Sequence, residues 1–375
     1  MQTIIYADHA ATTALSPTAR VAMEPFLQDS FGNPSTLYSL ARDPRKAVAH
    51  SREIIAAAIH ADPSEIYFTS GGTEADNWAV KGVAFHHGIG GEIIASSIEH
   101  HAVLKSCDSL RHMGYGIKLL PVDGAGVVCA EELDKIMTPS TALVSVMLAN
   151  NEIGTIEPVR DLTKVAHRKG VLFHTDAVQA TGHIAVHVDD LQVDLLSASA
   201  HKFNGPKGVG FLYIRKGTPL MPLIDGGGQE NGLRAGTENV AGIVGMATAL
   251  QEHIEHLDRE TSYLQDLADI LIRQLKLYHL DFRINGGVNR IPGSLSLSFK
   301  GADGEMLLHR LDLMGTAIST GSACNSRETE LSHVIKAIQI PEDYANGTIR
   351  ITLGMDNTED QMITIAGQIH KIIGG

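Results

Sequence analysis

The sequence predicts an α/β fold with a mostly parallel sheet, followed by a second and smaller α+β unit. Between about residues 60 and 215, short apolar runs alternate with amphipathic helical stretches, which is the pattern of a parallel sheet covered on both faces. A long helical stretch from Glu238 to about Leu277 then connects this region to a shorter mixture of strands and helices. The chain has 375 residues, enough for about two or three domains and an enzyme-sized core.

Six apolar runs are the predicted strands of the large sheet. In chain order they are Ile66–Thr69, Glu92–Ser96, Thr141–Leu148, Val171–His174, Val193–Leu196 and Val209–Ile214. Between two of them, Leu162, Val165 and Ala166 mark one face of a helix that follows Pro158. Ligands of such sheets bind at the carboxyl ends of the strands, so the residues just after each run are candidate site residues.

The smaller unit begins at about Asp281, with Ser294–Phe299 and Thr348–Leu353 as predicted strands and Glu305–Met314 as a predicted helix. We expect the first dozen residues to pack with it, because Thr3–Ala7 is too short to form a layer alone. The large domain is therefore placed at residues 13–258, and residues 1–12 and 259–375 together form the small domain.

Composition and charge exclude several classes of protein. The chain has 43 acidic and 30 basic residues and a net charge of -13, which argues against a general nucleic-acid or anionic-membrane binder. The longest apolar stretches are too short to span a bilayer, and the N-terminus lacks the pattern of a secretory signal. Three cysteines are too few for a disulfide framework. We expect a cytoplasmic enzyme with no direct nucleic-acid or membrane partner.

The segment from Thr69 to Asp76 joins a predicted strand to a predicted helix and contains paired glycines. Thr73 is predicted to cap the helix, with Asp76 three residues later in the place of a capping box. Backbone N–H groups at such a helix start, together with the helix dipole, form a site suited to phosphate. Taken alone, the segment is explained more simply as a capped helix without a ligand.

Further polar residues follow the later strands. His100, after the second run, can stack on a ring and move protons, although a histidine in a surface loop is the simpler interpretation. Asp176 and Lys202 follow adjacent runs and can form a simple salt bridge. Alternatively, the lysine is a Schiff-base amine and the carboxylate pairs with a pyridinium nitrogen. A phosphate pocket, a ring-stacking histidine, this carboxylate and this lysine, in that order, predict a pyridoxal phosphate site.

The C-terminal unit contains a candidate nucleophile and a candidate anion-binding residue. Cys324 lies in Ser319–Glu330, where ten of twelve residues are glycine or polar, so an exposed thiol in a flexible loop is predicted. Cys107 and Cys129 are instead predicted to be buried and inert. Arg350 lies in a stretch that alternates like a half-buried strand. It can pair with an internal carboxylate or bind a substrate carboxylate with two hydrogen bonds.

Ordered motifs across the chain carry a family resemblance. They are Tyr6–Thr13, Phe31–Ser35, Thr69–Asn77, Glu99–His100, Asn150–Gly154, Asp176–Gln179, Ser199–Gly208, Gly226–Glu230, Leu233–Thr237, Gly321–Cys324 and Ile349–Gly354. In these motifs the sequence resembles the NifS/IscS-type cysteine desulfurases, members of the class V aminotransferase group of pyridoxal phosphate enzymes. The resemblance implies a fold-type-I homodimer whose large domain has a mostly parallel seven-stranded sheet and whose small domain carries the catalytic-cysteine loop.

The resemblance also implies roles for individual residues. For the cofactor they are Lys202 as the Schiff-base lysine, Asp176 on the ring nitrogen, Gln179 on the phenolate oxygen, His100 stacked on the ring, and Gly72, Thr73, Ser199 and His201 around the phosphate, joined by Thr237 of the partner subunit. Asn151 and Arg350 would bind the substrate carboxylate. Lys202 would remove the Cα proton of L-cysteine, and Cys324 would attack its sulfur with His100 assisting, which gives L-alanine and a persulfide on Cys324. The sulfur acceptor would be a protein of iron–sulfur cluster assembly or of a thiolation pathway.

Other interpretations stay open on the sequence. A selenocysteine lyase, a cystine lyase or a plain aminotransferase of the same class can lack an essential loop cysteine. A non-catalytic sulfur carrier could keep the fold, although it has no use for both Lys202 and Asp176. A metal-binding protein could use His86, His87, His100 and His101, but no metal-binding spacing accompanies them, and no metal is predicted.

Overall fold

A computed structural model of the chain describes residues 4–321 and 331–374. Its helices are α1 (Pro17–Leu27), α2 (Arg42–Ala58), α3 (Gly72–His87), α4 (His101–His112), α5 (Ala130–Ile136), α6 (Val159–Arg168), α7 (Val188–Leu191), α8 (Val240–Leu277), α9 (Gly304–Leu313), α10 (His333–Ala337), α11 (Glu342–Ala345) and α12 (Glu359–Ile373). Its strands are β1 (Ile5–Tyr6), β2 (Ile66–Thr69), β3 (Glu92–Ser96), β4 (Gly116–Leu120), β5 (Thr141–Ser145), β6 (Leu172–Asp176), β7 (Leu195–Ser199), β8 (Gly210–Ile214), β9 (Phe282–Ile284), β10 (Ser294–Phe299), β11 (Thr316–Ala317) and β12 (Thr348–Thr352).

The large sheet has, within the described residues, seven strands in the order β2-β8-β7-β6-β5-β3-β4. Neighbouring strands pair in parallel except at β8, which runs antiparallel to both β2 and β7. The predicted mostly parallel, seven-stranded sheet is therefore confirmed. The sequence did not predict β4, because this edge strand is largely exposed and lacks a continuous apolar run.

Both faces of this sheet are covered, as a parallel sheet requires. Successive residues of a strand point to opposite faces, so Leu195 and Leu196 of β7 belong to two different apolar clusters. One cluster includes Trp78 of α3, and the other includes Ile55 of α2 and Leu162 of α6. The carboxyl ends of the strands are left open between these layers.

The C-terminal unit has its own apolar core, formed by β9, β10 and β12 with α9, α12 and the second half of α8. As expected, the N-terminal segment packs there: β1 pairs with β11, and Ala7 lies in this core. Along α8, Leu250 belongs to the large-sheet core and Leu264 to the C-terminal one. The transition from one core to the other between Leu250 and Leu264 agrees with the domain boundary at residue 258, which stays a prediction.

None of the helices in the described part of the chain combines the length and the apolar character needed to cross a bilayer.

A buried ion pair fixes the segment that follows the large sheet. Glu230 is only 7% exposed, and its two carboxylate oxygens accept hydrogen bonds of 2.8 and 2.7 Å from the Arg52 guanidinium. Glu230 also accepts a bond of 3.0 Å from the Phe68 backbone N–H, and Arg52 lies over the Phe68 ring. The glycine-rich stretch before Glu230 is thereby tied to α2 and to β2.

Arg52→Ala is expected to destabilise the protein by about 3 kcal/mol, because it leaves the Glu230 carboxylate buried without its cation. The thermal midpoint should fall by about 4 °C, measured by circular dichroism. Arg20→Ala is the control, because Arg20 pairs with Glu24 at a site where the two side chains are 65% and 54% exposed. Equal midpoints for the two variants would contradict the structural role of the buried pair.

Candidate active site

The carboxyl ends of the central strands open into a cavity of about 600 Å³. Ten of the twelve predicted site residues line it: Gly72, Thr73, His100, Asn151, Asp176, Gln179, Ser199, His201, Lys202 and Arg350. Thr237 does not line it, and Cys324 lies outside the described residues. One site therefore unites residues that are separated by up to 278 positions in the sequence.

The start of α3 forms one end of the cavity. Gly71 precedes the helix with φ 144°, a conformation that L side chains rarely adopt. A Cβ atom at Gly72 would lie 2.6 Å from Cγ2 of Val178, so only glycine fits this close approach. The helix begins at Gly72, which places Gly72 and Thr73 in the first turn, where backbone N–H groups and the helix dipole favour an anion.

The predicted capping box is wrong. The N-cap residue of α3 is Gly71 rather than Thr73, and no side chain caps the helix. The glycine at the N-cap leaves the first turn open to a ligand. Glu74 accepts a 2.7 Å bond from the Ser70 N–H and forms an ion pair of 2.8 Å with Arg234. Glu74 belongs to the first turn of α3, and these contacts fix Ser70 before the helix and the side chain of Arg234.

Lys202 ends a short helical turn after β7 and reaches toward the N-terminal segment. Its Nζ donates hydrogen bonds to the carbonyl oxygens of Ala10 at 2.5 Å and Ala11 at 2.9 Å. Next to it, His201 lies 3.1 Å from the Thr12 hydroxyl through Nδ1, and burial with the charge of Lys202 lowers the His201 pKa to about 4. The small unit thus supplies the backbone acceptors that hold the amine at the cavity.

Asp176 is the last residue of β6 and is 4% exposed. Burial raises the pKa of its carboxyl to about 6, while a 2.9 Å bond from the Val178 N–H and the positive charge of Lys202 favour ionisation. Gln179 donates a 3.0 Å bond to the same Ala10 carbonyl that Lys202 binds. A further cation or N–H donor in the cavity would return Asp176 to its ionised form.

A buried polar network, which the sequence did not predict, lies behind Asp176. Asp76 is 1% exposed, and burial and the Asp176 charge raise its pKa well above the usual range. His174 is fully buried between the Ser145 hydroxyl at 2.8 Å and the Ser197 hydroxyl at 3.0 Å, and burial lowers its pKa to about 3. The 3.7 Å between His174 and Asp76 is too long for a hydrogen bond, so we assign both as neutral.

Asp76 had a signal in the sequence. It lies one helical turn from Ala79 and Val80, on the apolar face of α3, where an acidic residue is unusual. The capping motif offered a competing explanation for the same residue, and the structure rejects it.

His100 is the N-cap residue of α4, and its Nδ1 accepts a 3.1 Å bond from the Ala102 N–H. Burial and the charge of Lys202 lower its pKa to about 4, so the ring is neutral and we assign its proton to Nε2. His333, which the sequence did not single out, also lines the cavity and lies 3.0 Å from the Glu99 carbonyl through Nε2. His101 lies beside His333, with ring centroids 5.0 Å apart.

The metal-binding alternative receives no geometric support. His86 and His87 end α3 and do not line the cavity with His100 and His101. Across residues 4–321 and 331–374, no group of three or more histidine, cysteine, aspartate or glutamate side chains is arranged to hold a metal ion.

Arg350 is more buried than predicted. All residues of β12 are buried, and Arg350 is 4% exposed, so the half-buried prediction for this strand is wrong. Its guanidinium donates to the Asp8 carboxylate at 2.7 Å and to the Asn151 carbonyl at 3.0 Å, which satisfies the internal-pairing interpretation. Within the described structure its Nε–H is buried without a hydrogen-bond partner, and the residue as a whole lines the cavity.

The two described cysteines differ from each other. Cys107 is buried in α4, as predicted, and burial raises its thiol pKa to about 12. Cys129 is exposed and donates to the Glu131 carboxylate at 2.9 Å, so its predicted burial is wrong. It precedes α5 at a surface turn, next to the buried Val128.

The lining residues fit pyridoxal phosphate. The first turn of α3, with Ser199 and His201, offers donors for a phosphate group, and Lys202 offers an amine for the aldehyde. A buried carboxyl whose pKa is about 6 is suited to a ring N–H, because the ion pair would stabilise its charged form. This donor set has no corresponding use in a simple carrier of sulfur.

Comparisons with known proteins agree with this chemistry. A family model described as "Aminotransferase class-V" matches residues 5–364. A curated protein named "Cysteine desulfurase IscS" from Dictyoglomus turgidum is 50% identical over 375 residues, which is 100% of this chain and 95% of that relative. A solved "NIFS-LIKE PROTEIN" has a TM-score of 0.93 at 39% identity and covers 99% of this chain and 100% of its own. Another structure, "SspA in complex with cysteine", has a TM-score of 0.83 at 36% identity, covering 93% and 98%. The predicted fold and resemblance are confirmed.

His174→Asn is expected to make the free energy of unfolding depend less on pH in the acid range. In the wild type, the His174 pKa falls from 6.5 to about 3 on folding, so between these values the unfolded chain binds the extra proton. Stability is therefore lost as pH falls below 6.5, by about 1.4 kcal/mol per pH unit from this one group.

Thermal midpoints measured between pH 6 and pH 4.5 test this expectation, because asparagine keeps hydrogen-bonding groups for the two serines but does not titrate. His50→Asn is the control, since the His50 side chain is 73% exposed. Identical pH slopes for the wild type and His174→Asn would show that His174 is not the neutral buried ring described above.

Proposed function

The chain belongs to the class-V aminotransferase family, and from this premise we propose that it is a pyridoxal phosphate-dependent cysteine desulfurase. The reaction converts L-cysteine and the thiol of Cys324 into L-alanine and a Cys324 persulfide. The observation that carries the proposal is the meeting of Lys202, Asp176 and Arg350 at one cavity. An amine, a buried carboxyl and a guanidinium there match the aldehyde, the ring nitrogen and the substrate carboxylate.

Bound pyridoxal phosphate supplies a ring that withdraws electrons from the substrate Cα. Lys202 would hold the aldehyde carbon, and Asp176 would keep the ring nitrogen protonated. Gln179 and His100 would contact the ring. Gly72 and Thr73 in the first turn of α3, together with Ser199 and His201, would hold the phosphate.

Substrate binding and deprotonation follow from the same cavity. The guanidinium of Arg350 and the side chain of Asn151 would bind the carboxylate of L-cysteine. The freed amine of Lys202 then takes the Cα proton.

Sulfur transfer requires the Cys324 thiolate. It forms a bond to the substrate sulfur while the bond from that sulfur to Cβ breaks, with the electron pair passing to the remaining carbon skeleton. The proton of the Cys324 thiol passes by way of His100 to the former Cβ, and Lys202 returns a proton to Cα. His100 is suited to this because its pKa of about 4 makes the neutral ring the resting form, so a proton that it accepts is released again.

A second copy of the chain completes the site in this proposal. Thr237 does not line the cavity of its own protomer, whereas Arg234, three residues earlier, pairs with Glu74 at the cavity. Phe31 is 70% exposed and Leu37 98% exposed, an apolar surface of the kind that homodimers bury. The phosphate would then be contacted by Thr237 of the partner subunit.

The persulfide sulfur goes to an acceptor protein in the cytoplasm, in iron–sulfur cluster assembly or in a thiolation pathway. The net charge of -13 supports a protein acceptor rather than direct contact with a nucleic acid. Residues 322–330, here called the Cys324 segment, lie between Gly321 and Ser332 in the sequence. Gly321 and Ser332 both line the cavity, beside the proposed substrate site.

The purified protein is expected to be yellow and to convert L-cysteine into alanine and, with a reductant, sulfide. Lys202→Ala should lose the colour and the turnover, because it removes the amine that holds the cofactor. Cys324→Ser should keep the colour and lose the turnover, because only the sulfur-accepting step is blocked. Absorbance spectra and alanine assays measure both properties.

Cys129→Ser is the matched control, since it removes an exposed thiol outside the cavity and should keep both properties. Wild-type turnover in Cys324→Ser would instead support a selenocysteine or cystine lyase. A colourless wild type that does not take up pyridoxal phosphate would reject the cofactor assignment.

A further inference from the structure

Glu152 is a buried acid at the substrate end of the cavity that has no role in the steps above. It lies in the turn after β5, next to Asn151, and is 5% exposed. The side chain of Asn150 accepts bonds of 2.8 and 3.0 Å from the N–H groups of Glu152 and Ile153, which fixes this turn. The Glu152 carboxyl is thus held in a defined position by the large domain.

Both ends of the Cys324 segment contact this carboxyl. On the C-terminal side, the Ser332 hydroxyl donates a 2.6 Å bond to Oε2 of Glu152 while also capping α10 through the Val334 N–H. On the N-terminal side, a Cβ atom at Gly321 would overlap the same Oε2 and would lie 3.6 Å from Cβ of Ser332. Gly321 and Ser332, which lie on either side of residues 322–330, therefore both lie beside one carboxyl oxygen of Glu152.

The same carboxyl is coupled to the residue that binds the substrate carboxylate. Burial raises the Glu152 pKa to about 7, and the Ser332 bond and the Arg350 charge favour its ionised form. Arg350 also pairs by two backbone hydrogen bonds, of 2.7 and 3.1 Å, with Ser319, just before the segment. Glu152 and Arg350 thus hold the two ends of the segment against the substrate site.

We propose that Glu152 is a positioning residue that aligns the Cys324 segment with the substrate held at Arg350. The inference rests on the proposed function, in which Cys324 must reach the substrate sulfur. A displacement of about 1 Å between reacting groups can slow a reaction by about 100-fold, so the anchoring of both ends has kinetic consequences.

Glu157 provides a comparison for a merely structural acid. It is 3% exposed, burial raises its pKa to about 8, and it accepts a 2.9 Å bond from the Val128 N–H. It does not line the cavity. Glu157→Gln therefore reproduces the removal of a buried carboxyl without touching the ends of the Cys324 segment.

The test compares Glu152→Ala, Glu152→Gln, Ser332→Ala and Glu157→Gln in the cofactor-loaded enzyme. Glu152→Ala should lower kcat by about 10- to 100-fold with KM for L-cysteine changed by less than about 3-fold, because substrate binding is kept and alignment is lost. Glu152→Gln should recover most of kcat, since its amide oxygen still accepts the Ser332 bond. Ser332→Ala should lower kcat in the same direction, and Glu157→Gln should leave it near the wild type.

Two further measurements separate alignment from folding and from binding. The absorbance change of the bound cofactor on mixing with L-cysteine should be the same in all four variants, and Ser332→Ala combined with Glu152→Ala should be no slower than Glu152→Ala alone. If Glu152→Ala fails to fold, Ser332→Ala decides. Wild-type kcat in Ser332→Ala, or an equal loss in Glu157→Gln, would overturn the inference, whereas an inactive wild type would overturn the proposed function itself.

Discussion

The site depends on one buried acidic group, the Asp176 carboxyl at the carboxyl end of β6, which needs a positive partner to be ionised. Burial disfavours its ionised form. Within the described residues, a hydrogen bond from the Val178 N–H and the positive charge of Lys202 act in the opposite direction and lower its pKa. A positive partner that enters the cavity would favour the ionised form of this carboxyl. In the proposed function, the ring N–H of pyridoxal phosphate would be that partner, and the carboxyl would keep the ring electron-withdrawing.

The sheet topology explains why so many functional residues meet at one place. Parallel strands end at a common edge, so β6 delivers Asp176 and β7 delivers Ser199 beside the first turn of α3. The small unit closes this edge with the Ala10 carbonyl, which binds Lys202, and with Arg350. A site assembled from the large sheet and the termini in this way depends on α8, which contributes to both cores.

Much of this could be predicted from sequence, because strand ends and their polar residues are local signals. The bounds of β2 and β3 coincide with the predicted runs. Burial was less predictable where it depends on distant segments: Arg350 is covered by Asp8, and Cys129 has no such cover. Asp76 was misassigned because its place three residues after Thr73 is that of a capping box, while the same position lies on the buried face of α3. Glu152 lies in the motif Asn150–Gly154, but its contacts could not be predicted, since its partners Gly321 and Ser332 lie far along the chain.

We propose that Lys202, and no other lysine, forms the bond to the cofactor aldehyde. Borohydride reduction of the cofactor-loaded protein would fix that bond, and peptide mass spectrometry would locate the modified residue. Lys207 is the internal comparison, because it also lines the cavity. A pyridoxyl phosphate group is expected on the peptide at Lys202 alone. Modification at Lys207, or no modified lysine in a yellow protein, would exclude this role of Lys202.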